Sequence, residues 1–76
     1  MEKLKLKLKE VMFLKQFIRK GQKSARALAR ANILLLLNSR ETGDSIADKL
    51  NVHRDTVYNV KRRYLKEGLD AALSEK

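Results

Sequence analysis

The chain contains no cysteine and no proline, a single histidine and three glycines. Without cysteine there is no disulfide, no thiolate nucleophile and no Cys-based zinc site, and one imidazole cannot build a metal centre alone. The longest apolar run, Ile33 to Leu37, is far short of the roughly 20 residues that span a bilayer. The amino terminus does not read as a signal peptide, because its lysines alternate with leucines instead of preceding an apolar block. The expected location is therefore the cytosol, or wherever DNA lies. Acids are scarce, nine against eighteen Lys and Arg. Asp44, Asp48, Asp55, Glu67 and Asp70 fall among cations, with no His or Cys cluster and no room for a deep pocket at this size. They read as helix caps and solvated ion pairs. No catalysis, cofactor, metal or small-molecule substrate is expected.

Seventy-six residues, 43% of them hydrophobic, make one domain with a marginal core. The net charge of +9 marks a polyanion as the partner class. Charge alone leaves membrane surfaces and acidic proteins as rivals to nucleic acid, so position has to decide.

Residues 1–8 carry Leu4, Leu6 and Leu8 at period two with lysines between them, the pattern of an extended basic arm or short β-arm and not of a helix. A lone strand has no partner in a helical chain, so the arm is expected to pair with a second copy in a homodimer or to track DNA. From Lys9 the period becomes helical. Val11, Leu14 and Ile18 share a face with Phe17 beside it, and Gly21 sits where a C′ glycine ends a helix. Ser24 can cap the next helix, whose Leu28, Ala31, Leu34 and Leu35 point inward and whose second half is apolar nearly all round, as in a central helix.

The segment Thr42 to Tyr64 carries the most specific spacing. Thr42 caps a short helix with Asp44 at its positive end, and Ile46, Ala47 and Leu50 form its inner stripe. Asn51 stands where the chain turns sharply, tolerating the left-handed conformation, and Val52 plugs the gap beneath. Val57 and Val60 face inward from a second helix. Arg54, Asp55, Tyr58, Asn59, Arg62 and Lys66 are left outside, a mixture of forks, amides and cations that pairs with base edges and phosphates. The pattern predicts an all-α fold: a small helical bundle in which helices over about 24–39, 43–50 and 54–67 make a helix-turn-helix unit, the second of the pair reading the major groove of double-stranded DNA. Gly68 and Leu69 read as a Schellman end, with a short closing helix through Ala72 and Leu73. The domain spans 9–76 behind the arm of 1–8.

The residues Ser24-Ala25-Arg26, Arg30 to Leu36, Ile46-Ala47, Val52, Arg54, Thr56-Val57-Tyr58, Arg63-Tyr64-Leu65, Gly68-Leu69 and Ala71-Ala72-Leu73 resemble the N-terminal helix-turn-helix domain of mariner-like bacterial insertion-sequence transposases, which have homeodomain-like heads. The resemblance covers nearly all of the chain from about Lys9. It implies recognition of the terminal inverted repeats of a mobile element, and a following catalytic domain with three carboxylates and divalent metal that these 76 residues do not include. His53 stands where Ser is common and Asn51 where Gly is common. A free-standing transcriptional regulator is the alternative within DNA binding, and a cationic module for membranes or acidic proteins is the alternative outside it.

The candidate DNA-contacting residues are His53, Arg54, Asp55, Thr56, Tyr58, Asn59, Arg62, Arg63 and Lys66, with Arg26 and Arg30 from the preceding helix. Three of these assignments have two readings. His53 either caps its helix or touches a phosphate. Tyr58 either meets the DNA backbone or packs its ring along the helix. Arg26 and Arg30 either grip phosphates or tie helices together through Glu41 or Asp48.

Overall fold

The computed structural model describes residues 4–20 and 24–73. Five helices follow one another: α1 (Leu8–Lys20), α2 (Ala25–Asn38), α3 (Gly43–Leu50), α4 (Arg54–Glu67) and α5 (Leu69–Leu73). Among the described residues there is no strand. The place of Gly21 at the end of α1 lies outside the described residues.

The central position of α2 follows from its composition. Ala31, Ile33, Leu34 and Leu37 are buried, and α2 packs against each of the other four helices. Leu14 of α1, Ile46 of α3, Val57 and Val60 of α4 and Ala72 of α5 complete the core around it. Ser24 caps α2, its Oγ accepting the Ala27 N–H at 3.2 Å. The helix stops at a left-handed Arg40 (φ 66°), where the Arg40 N–H donates to the Leu37 carbonyl and the Glu41 N–H to that of Leu36. That pair of bonds is a Schellman closure made without glycine.

Two sequence expectations need correction. The arm leucines do have partners within the chain: Leu4 is only 5% exposed and Leu6 only 8%, both in the main core. The Leu6 N–H donates to Asn38 Oδ1 at 2.9 Å, fastening the extended residues to the end of α2. Period two also ends one residue early. The Lys7 carbonyl accepts from the N–H groups of Glu10 and Val11, while Glu10 Oε1 takes the Lys7 N–H at 3.0 Å. This is the glutamate half of a capping box, and it starts α1 at Leu8. Leu8 thereby leaves the leucine row and is 75% exposed. The second correction is at Gly68, whose φ of 96° and ψ of −175° belong to an extended region open to glycine alone and not to a Schellman turn. The Gly68 N–H ends α4 on the Tyr64 carbonyl while its own carbonyl accepts from Ala72 and opens α5. One glycine is both cap and start.

A side-chain clamp joins α4 to α1: the Tyr64 hydroxyl donates to Glu10 Oε1. Burial opposes ionisation of Glu10, but hydrogen bonds from Tyr64 and the Lys7 N–H, with the charge of Lys7, outweigh it and leave the carboxyl below its ordinary pKa. Burial and then the bond to negative Glu10 push Tyr64 up to about 12. The two signs follow by linkage. Glu10 contributes stability present above the ordinary glutamate range, which is lost as pH falls through its lowered folded value. Tyr64 contributes stability present below about pH 10, lost as pH rises toward 12. Tyr64→Phe is expected to cost about 0.5–1.5 kcal/mol at neutral pH and to flatten the alkaline limb. Thermal melts of both proteins across that range check it, and superimposable alkaline limbs would refute the clamp.

Candidate nucleic-acid interface

Local sequence builds the helix-turn-helix closely. Thr42 Oγ1 accepts the Ser45 N–H at 3.1 Å and caps α3. Glu41, just before it, accepts from Ser45 Oγ at 3.0 Å and from Lys49 Nζ at 2.9 Å. The Lys49 ammonium first, then the Ser45 hydroxyl, hold the Glu41 carboxyl below its ordinary pKa. The turn comes at Asn51, left-handed with φ 55° and ψ 47°. Its N–H donates to Asp48 O and the next one, of Val52, to Ala47 O, so the Schellman closure of the motif lies here. Two residues later α4 begins. His53 Nδ1 accepts the Asp55 N–H at 3.1 Å, so the imidazole does the work usually done by a serine hydroxyl.

With Val57 and Val60 buried, the helical period divides the rest of α4 into three strips. Opposite the core, Asp55, Asn59, Arg62 and Lys66 form an exposed stripe along the helix. One flank holds Arg54 and Tyr58 and turns toward α3. There Arg54 meets Asp44 at 3.4 Å, and the Tyr58 ring lies so close over Gly43 that a Cβ on that glycine would sit 3.2 Å from it. The Tyr58 ring thus packs on the start of α3 and not along its own helix, and the glycine that permits it was not singled out from sequence. The other flank, with Thr56 and Arg63, turns toward α2 and α5.

On that second flank Arg30 of α2 joins Asn59, Arg62, Arg63, Lys66 and Glu67 around an open cleft of about 550 Å³. Arg26, one turn earlier on α2, is exposed and does not line it. Neither arginine takes Glu41, whose carboxylate serves Ser45 and Lys49. Glu67 and Ala72 also line the cleft, although sequence gave them no part in the site. The signal for Glu67 was its spacing from Thr56 and Arg63 along one side of α4.

Two short helices, a left-handed turn between them, and an exposed polar stripe on the second make one recognisable architecture, and residues 24–73 match the homeodomain-like domain. The chain belongs to the homeodomain-like family. The match covers α2 through α5 and leaves the arm and α1 outside it. No curated protein and no solved structure matches the chain. Homeodomain-like domains of this helix-turn-helix type are DNA-binding modules, and DNA is the partner the family indicates. No described helix is long and apolar enough to cross a membrane.

Proposed function

We propose that this homeodomain-like domain binds a specific double-stranded DNA sequence by laying α4 in the major groove, and that the sequence is the terminal inverted repeat of a bacterial mobile element. The stripe of Asp55, Asn59, Arg62 and Lys66 carries the first part. It is continuous, exposed and backed by buried valines, and it presents an acceptor, an amide and two cations to whatever lies along the helix. The remaining positive charge supplies salt-dependent attraction to the backbone. His53 can cap with Nδ1 and still turn Nε2 to a phosphate, and Arg54 can exchange its exposed partner Asp44 for one at little cost. The transposase assignment rests on the sequence resemblance, and its setting is the bacterial nucleoid. Pairing of arms in a homodimer loses its motive, since Leu4 and Leu6 are already covered within one chain.

Selection of bound duplexes from a random library, followed by anisotropy titrations of the enriched and scrambled duplexes at several salt concentrations, tests the proposal. The expected result is a preference of at least roughly 10³-fold for the enriched duplex. Equal affinity for both would reduce the domain to a nonspecific cation. Occurrence of the enriched motif as an inverted pair bracketing the gene supports the transposase reading, whereas a single upstream site would support a regulator.

A further inference from the structure

One nitrogen of Arg30, the first of its two terminal guanidinium atoms, is buried and has no hydrogen-bond partner among the described residues. Such an atom is costly to leave unmatched, more so on a charged group. Its surroundings add to the cost. The cleft it borders gathers Arg62, Arg63 and Lys66 with Glu67, so among the described residues that line it cations outnumber carboxylates and the local field favours an anion. Asn59 and Thr56, which carry neutral donor groups, also line it.

We infer that this cleft is a phosphate site, and that its occupant is a backbone phosphate of the bound DNA. The inference rests on the DNA reading above and adds to it a place on the flank of α4 where one strand is gripped. Guanidinium forks match phosphate oxygens in pairs. Asn59, Arg62 and Lys66 belong both to the cleft and to the exposed stripe, so a duplex lying along the stripe brings its backbone to the cleft mouth. An extended polyanion fits this continuity better than a free ion or nucleotide, which would use the cleft and leave the stripe idle. Arg30 then positions the protein and reads no base.

The test compares the unmodified chain, Arg30→Gln and, as a charge-matched control on α1, Arg19→Gln. Affinity for the enriched duplex and for a random one is measured against salt. Arg30→Gln is expected to weaken both duplexes alike, by roughly 10- to 100-fold, as loss of one charge-assisted contact does. It should also lower the salt slope by about one, while Arg19→Gln leaves the slope unchanged. A thermal melt without DNA checks that Arg30→Gln folds; if it does not, Lys66→Gln, an exposed side chain on the same cleft, is expected to give the same loss of slope. A variant that binds both duplexes with the original slope overturns the inference and leaves the DNA reading standing. An unmodified chain that binds no duplex removes that reading and the inference with it. Titration of the free protein with inorganic phosphate, followed by the Arg30 side-chain N–H resonance, separates the sources. A saturable shift without any change in duplex slope makes the cleft a free-anion site and overturns the backbone assignment.

Discussion

Leu4→Ala and Leu6→Ala are each expected to cost about 2–4 kcal/mol, and the double variant is expected to be largely unfolded at room temperature. Both leucines are buried in the same cluster as Leu14, Ile33 and Ile46, and truncating such a side chain removes its transfer energy and leaves a cavity. A domain of this size has about 4–11 kcal/mol in all, at typical stability per residue, so two such losses consume most of it. Leu8 is the internal control. It belongs to the same row in the sequence but is 75% exposed, and Leu8→Ala is expected to change stability by less than about 0.5 kcal/mol. Urea unfolding of the three single variants checks the contrast. If all three behave alike, the arm is not seated as described. If Leu4→Ala instead lowers the sedimenting mass at unchanged stability, the leucines serve association and not this core.

The contrast between Leu6 and Leu8 also shows where sequence reasoning stops. Periodicity read α3 and α4 to their observed ends because the stop signals are local: Thr42 before one helix, Asn51 after it, His53 before the next. Each is satisfied by a backbone group no more than five residues away. The seat of the arm is not local. Its hydrogen bond spans 32 residues, from Leu6 to Asn38, and nothing near Leu6 announces it. The same distinction applies to the interface. The outward stripe of α4 follows from the positions of Val57 and Val60 on the same helix, so it was legible. The assembly of Arg30 with Arg63 depends on how α2 crosses α4, which a linear pattern does not encode. Gly68 is an intermediate case, since its need for glycine was legible but the extended conformation that opens α5 was not.

Arg62→Ala and Asn59→Ala are expected to weaken binding to the enriched duplex by about 1–3 kcal/mol each, with a much smaller loss on random DNA. The difference between the two losses carries the argument. Arg62 and Asn59 are exposed on the stripe directly opposite the core, where a helix seated in the major groove meets base edges. A guanidinium pairs there with the two acceptors of guanine, and an amide with the acceptor and donor of adenine. Neither pairing forms on a random sequence, so their loss should show as lost discrimination. The flank toward α3 should behave otherwise. Arg54 turns toward α3, where it can take a phosphate in place of Asp44, and the ring of Tyr58 is set against Gly43, so neither lies on the stripe that meets the bases. Substitution of Arg54 should therefore change affinity for both duplexes by similar, smaller amounts. Both side chains border the cleft as well as the stripe, and Arg62, which carries the charge, is the more exacting of the two tests. Equal losses on both duplexes would make it a backbone contact, while Asn59, which carries no charge to attract a phosphate, would still have to account for selectivity. If Asn59→Ala also lowers both affinities alike, α4 lies across the backbone instead of along the groove, and the recognition stripe must be sought on another face.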